Sequence, residues 1–124
     1  MTYKVFIDGE EGTTGLQIRE RLEGRSDLSL IHLLDKERKD PVKRREALIS
    51  ADVGILCLPD SVAREVASFV EDGDTRLIDA SNAHRVSDSW VYGFPELDPG
   101  QRGLIKKALR VTNPGCYSTG AIAL

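Results

Sequence analysis

Apolar and polar residues run along this chain in alternating blocks, and each block predicts an element. Tyr3 to Asp8 is a short apolar run that ends in a glycine-rich loop, which predicts a strand. Thr14 to Glu23 predicts a helix, with Leu16, Ile18 and Leu22 as its apolar members and Gly24 closing it. Leu28 to Leu34 predicts a second strand, with His32 inside it as a structural residue, and Val42 to Ser50 a second, more polar helix. Val53 to Leu58 predicts a third strand, stopped by Pro59, with Cys57 midway along it as a small core residue. Asp60 is placed to cap the next helix, whose Val62, Val66 and Val70 recur at i, i+4 and i+8. Gly73 ends that helix, Arg76 to Asp79 reads as a fourth strand, and Trp90 to Tyr92 as a short further one. Leu104 to Leu109 lies in another helix, and Arg110 to Thr112 is a last strand before Asn113 and Pro114.

Strands thus alternate with helices, and several strands are almost continuously apolar. That suits a parallel sheet covered on both faces. The expected fold is α/β: a doubly wound, mostly parallel sheet with helices on both faces, in one domain over residues 1–124. No internal repeat or flexible linker interrupts it.

Composition narrows the function classes. The 124 residues carry a net charge of −3 with no long single-sign block. This argues against a nucleic-acid or membrane surface, although Lys36 to Arg45 is locally basic. The N-terminus lacks the apolar core and cleavage site of a signal peptide. Cys57 and Cys116 lie far apart with no zinc-like spacing, so no metal site is expected, and a reducing cytoplasm is the simplest compartment.

The candidate chemistry begins after the first strand, at Gly9-Glu10-Glu11-Gly12-Thr13-Thr14-Gly15. Glycines between a strand and a helix let the backbone turn tightly and approach a pyrophosphate. The helix start then offers free N–H groups and a positive dipole end. Gly9, Gly12, Thr13, Thr14 and Gly15 are therefore candidate cofactor ligands of a Rossmann-type domain. The end of the second strand faces the adenosine ribose in such a domain, and Asp35-Lys36-Glu37-Arg38-Lys39 stands there. An acid binds the ribose hydroxyls of NAD, and basic residues take the extra phosphate of NADP. Asp35 points one way and Lys36, Arg38 and Lys39 the other, so charge alone leaves the choice open. Pro59 follows the third strand, along the same crevice.

Two further segments hold polar groups at the carboxyl edge. In Asp79-Ala80-Ser81-Asn82-Ala83-His84-Arg85, Ser81 and Asn82 suit a nicotinamide amide or a substrate, or plain turn chemistry. Arg85 suits a carboxylate or phosphate through its planar fork. His84, a lone loop histidine, reads as a bystander. Cys116 follows Asn113-Pro114-Gly115 at the predicted start of an apolar helix. A helix start stabilises a thiolate, and its N–H groups suit an oxyanion on a carbonyl that the sulfur attacks.

Taken together, these stretches resemble N-acetyl-gamma-glutamyl-phosphate reductase, most closely its shorter, type 2 branch. The matching runs are residues 7–18, 55–60, 79–85, 92–97 and 113–122, in family order over essentially the whole chain. The run around Cys116 is the most specific. The resemblance implies NADPH-dependent reduction of an acyl phosphate, N-acetyl-L-glutamyl 5-phosphate, to the 5-semialdehyde with release of phosphate. It makes Cys116 the nucleophile that forms a thioester, and it favours NADP. It gives Gly9, Gly12 and Gly15 the cofactor role and puts Ser81 and Arg85 in a segment near the nicotinamide and substrate; Asn82 and Asn113 are the further substrate candidates beside them. Family members are longer and add a substrate-binding and dimerisation domain with an acid–base histidine. The resemblance therefore implies an N-terminal cofactor-binding portion, inactive alone, of a homo-oligomeric enzyme. The competing readings are an aspartate-semialdehyde-dehydrogenase-like enzyme, a non-catalytic NADP sensor in which Cys116 is incidental, and a domain with no nucleotide affinity.

Overall fold

The computed structural model describes residues 2–9, 12–85 and 87–114. The described strands are β1 (Tyr3–Asp8), β2 (Leu28–Ile31), β3 (Val53–Leu56), β4 (Arg76–Asp79), β5 (Val91–Tyr92) and β6 (Arg110–Thr112). The helices are α1 (Thr13–Leu22), α2 (Pro41–Ser50), α3 (Asp60–Ser68) and α4 (Gln101–Lys107), with a 3₁₀ turn at Pro95–Leu97. The strands form one sheet in the order β2-β1-β3-β4-β6-β5, and every described pairing is parallel. This is the doubly wound architecture that the alternating pattern predicts.

Local sequence explains the boundaries. Asp40 caps α2 by accepting the Val42 N–H at 3.0 Å, and Pro41 sits in the first turn, where its missing donor costs nothing. Several expected spans shorten. β2 ends at Ile31 and β3 at Leu56, because the chain leaves the sheet for the carboxyl-edge loops as soon as pairing with β1 runs out. His32 is accordingly beyond the strand and exposed, and Cys57 lies just past the end of β3. Asp60 is the first residue of α3 and not its cap; its carboxylate instead accepts the Asn82 N–H at 2.9 Å. α4 begins earlier than its apolar residues suggest, at Gln101.

The core lies between the sheet and α2 and α3. Phe6, Leu48, Leu56, Val66 and Leu77 are essentially buried there. At about 1.5–3 kcal/mol per fully buried large side chain, this cluster is the main stabilising term of the fold. Helix and sheet approach closely at Gly54, where a Cβ would stand 2.6 Å from Leu48 Cδ2 and 2.9 Å from Leu77 Cδ2. Gly54→Ala is expected to cost about 1–3 kcal/mol through overpacking, read from the urea midpoint; an unchanged midpoint would contradict this packing.

The other face is less covered than a run of apolar strands suggests. Ile7, Ile55, Ile78 and Val111 are in register across β1, β3, β4 and β6, so they share a face. Ile7 is buried, but Ile78 is 36% exposed. Right-handed crossovers place α1 on this face, opposite α2 and α3, because the chain steps from β1 to β2 and then reverses to β3. The reversal makes the gap between the β1 and β3 ends a topological switch point, where ligands bind in such sheets.

Candidate functional site

Three segments meet at that switch point. The chain leaves β1 through Gly9, whose φ of +88° is the left-handed region that only glycine adopts without strain. A Cβ at Gly9 would also stand 2.3 Å from the Cys57 carbonyl oxygen. This contact packs the first loop against the end of β3. The chain then turns into α1 at Gly12, whose N–H donates to Gly9 O at 3.1 Å. Among the described residues no side chain caps α1, and its first turn holds no acidic residue. Its leading N–H groups and positive dipole end are therefore left for an anion. Gly12, Thr13, Thr14 and Gly15 line a pocket of about 230 Å³ with Cys57, Leu58 and Ala80. The glycine loop, the β3 end and the β4 end are thus brought together as expected. The residue of the third-strand loop that lines the pocket is Leu58, while Pro59 stands at the N-cap position of α3.

Cys57 was missed as a groove residue because its apolar neighbours suggest a strand interior. Its thiol is pushed up to about 11, first by burial and then by the carboxylates of Asp8 and Asp79. It is therefore held as the neutral, unreactive thiol at pH 7. Iodoacetamide is expected to leave Cys57 unlabelled in the folded chain at pH 7 and to label it after denaturation. Fast labelling of the folded form would contradict that environment.

A second pocket opens beside the first, between the ends of β1 and β2. Phe6, Ile7, Asp8, Gly9, Leu33, Arg38, Lys39 and Arg44 line it. Of the expected basic residues, Arg38 and Lys39 line it; Lys36 is exposed and does not. Arg38 pairs with the exposed Asp35 at 3.4 Å and donates from Nε to Leu33 O at 3.4 Å. Arg44 and Asp8 join the pocket without a sequence signal. Arg44 lies in a polar helix whose buried side the residue pattern leaves undefined, and Asp8 reads only as the end of a strand.

At the end of β4, the fully buried carboxylate of Asp79 organises the polar loop. It accepts the Ser81 N–H at 2.9 Å and the Ser81 hydroxyl at 3.0 Å, and it lies 2.6 Å from His84 Nδ1. Ser81 Oγ in turn accepts the Ala83 N–H at 3.1 Å. The His84 ring stacks on Trp90 with centroids 4.0 Å apart. His84 is thus built into the loop.

Asn82, Arg85 and Asn113 are also brought together, but largely on one another. Arg85 Nε donates to Asn113 O at 3.0 Å, Nη2 to Ala80 O at 3.4 Å, and Nη1 to Asn82 Oδ1. Asn113 N–H donates to Asp79 O at 2.8 Å. The guanidinium ties the β4 loop to the chain leaving β6. Cys116 lies outside the described residues.

An uncapped helix after a glycine turn, at the switch point of a parallel sheet, defines the class: a dinucleotide-binding α/β domain. The sequence profile described as "Semialdehyde dehydrogenase, NAD binding domain" matches residues 4–104, and the chain belongs to this family. It is 61% identical over 120 residues to a protein of Burkholderia lata named N-acetyl-gamma-glutamyl-phosphate reductase, covering 97% of this chain and 38% of that one. A Chelativorans protein of the same name is 56% identical over 124 residues, which is 100% of this chain and 40% of that one. The chain therefore spans about two fifths of the length of these relatives. Among solved structures, aspartate semialdehyde dehydrogenase with NADP from Candida albicans superposes with a TM-score of 0.73 at 13% identity, over 99% of this chain and 45% of that one. Aspartate semialdehyde dehydrogenase II from Vibrio cholerae, complexed with ASA, gives 0.70 at 15% identity, over 98% and 44%. These likenesses confirm the fold. Among the described residues, no group of His, Cys, Asp or Glu side chains forms a metal site, and no helix is long and apolar enough to cross a membrane.

Proposed function

We propose that the chain is the N-terminal, NADPH-binding portion of an N-acetyl-gamma-glutamyl-phosphate reductase. The observation that carries this is the 54–61% identity, over nearly the whole chain, to curated relatives of that name. The substrate is the acyl phosphate N-acetyl-L-glutamyl 5-phosphate, and the longer enzyme is a cytoplasmic homo-oligomer.

The residues present fit a dinucleotide. The uncapped start of α1 suits a pyrophosphate, and the basic groups around the neighbouring pocket suit NADP over NAD. Gly12 to Gly15 hold the pyrophosphate, and Leu58 and Ala80 border the path towards the nicotinamide. Bound NADPH supplies a hydride to an acyl group. Ser81 and the Arg85–Asn113 tie fix the carboxyl-edge loops from which the chain proceeds to Gly115 and Cys116. The Cys116 thiolate attacks the acyl carbon, the carbon–oxygen bond to phosphate breaks, and phosphate leaves with the bonding pair to give a thioester. The acid–base histidine and most substrate contacts belong to the further domain.

Joining this chain to the C-terminal remainder of the Burkholderia lata relative is expected to give NADPH-dependent turnover of the acyl phosphate. Cys116→Ser in that chimera is expected to lower turnover by about a thousandfold or more while leaving NADPH binding intact. The 124-residue chain alone is expected to show no turnover. Robust turnover without Cys116, or by the chain alone, would refute the proposal.

A further inference from the structure

The pocket between the β1 and β2 ends holds a cation that the sequence does not single out. Arg44 is carried there by α2, with its side chain 18% exposed, and its Nε lies 3.3 Å from Oδ1 of the buried Asp8. Arg44 Nε is itself buried and makes no hydrogen bond among the described residues. A buried guanidinium is costly unless its donors are used. The Asp8 contact engages only the Nε edge of a five-donor fork, so the outer donors remain for a group in the pocket.

The competing cations are less well placed. Lys36 does not line the pocket, Arg38 is already engaged with Asp35 and Leu33 O, and Lys39 is an exposed ammonium without a fork. In a doubly wound sheet the adenosine ribose lies over the carboxyl end of β2, beside the loop that leaves β1. Leu33 and Gly9 place this pocket at that position.

We propose that Arg44, seated by Asp8, is the residue that discriminates NADPH from NADH by taking the phosphate on the adenosine 2′ oxygen; this rests on the groove being the dinucleotide site. Asp8 is the positioning residue. It fixes the guanidinium from the Nε side, so an arriving phosphate need not displace it.

Titration of the wild-type chain and Arg44→Met with NADPH and with NADH tests the assignment. NADPH binding is expected to weaken by about 10- to 100-fold in the variant, as loss of a charge-assisted phosphate contact implies, with NADH affinity nearly unchanged. An unchanged preference for NADPH, or an equal loss for both cofactors, overturns it. Should Arg44→Met fail to fold, the wild type decides: NADP⁺, and not NAD⁺ at equal saturation, is expected to protect Arg44 from phenylglyoxal. Equal protection overturns the assignment. A wild type that binds both cofactors equally overturns the role of Arg44 and leaves the dinucleotide site standing, whereas a folded wild type that binds neither overturns both.

Discussion

Gly9→Ala is expected to destabilise the chain by about 3–5 kcal/mol, a large part of the stability of a typical domain. Two separate costs combine. A left-handed φ of +88° strains an alanine by about 1–3 kcal/mol. The added Cβ would also stand 2.3 Å from a backbone atom, the Cys57 carbonyl oxygen. No side-chain rotation relieves that overlap; the β1 and β3 ends must separate. The same separation opens the pocket lined by Gly12 to Gly15, Cys57 and Leu58. The variant is therefore expected to lose stability in urea and, where it still folds, affinity for dinucleotide. A midpoint within about 0.5 kcal/mol of the wild type would show that the close approach of the two loops does not hold in solution.

Asp79→Ala is expected to cost a similar amount, about 3–5 kcal/mol, by a different route. The carboxylate is fully buried and serves the Ser81 N–H, the Ser81 hydroxyl and His84 Nδ1. Its removal leaves the buried Ser81 donors and the half-buried His84 ring without their partner, and each stranded buried donor costs about 1–3 kcal/mol before relaxation. The readout is specific, because the chain has one tryptophan, Trp90, and it stacks on His84. Trp90 emission is expected to shift as the stack loosens, even in buffer where the variant remains folded. Asp79→Asn, which keeps the shape and one acceptor, is expected to fall between the wild type and Asp79→Ala. Unchanged Trp90 emission in Asp79→Ala, with an unchanged urea midpoint, would contradict the network.

The fold was legible because its signals are local. Val66, with the half-buried Val62 one turn before it, marks the inner side of α3, although the helix ends at Ser68, short of the buried Val70 that the pattern includes; the apolar runs at Val5–Ile7 and Val53–Leu56 mark strands that lie inside a parallel sheet. The glycine loop was legible because Gly9 does what only that residue type does between a strand and a helix. The legibility failed where an element's end or a side chain's partner is set by distant residues. Cys57 reads as core until the pairing of β3 with β1 stops one residue short of it. Asp60 reads as a cap until Asn82, 22 residues on, claims its carboxylate. Arg44 has no local mark, because its place depends on how α2 rotates over the sheet and on the position of Asp8. Arg85 is recognisable as a fork, but which acceptors it meets depends on β4 and β6 lying side by side.

The central claim is that a dinucleotide occupies the crevice at the ends of β1 and β3. The measurement that tests it most directly is a calorimetric titration of the folded 124-residue chain with NADPH, paired with a thermal melt. The account predicts saturable binding at one site per chain, with stabilisation of about 2.7 kcal/mol when NADPH stands at a hundredfold excess over its Kd. No heat and no thermal shift from a sample folded by circular dichroism would contradict it, and the uncapped start of α1 would then be a turn and nothing more.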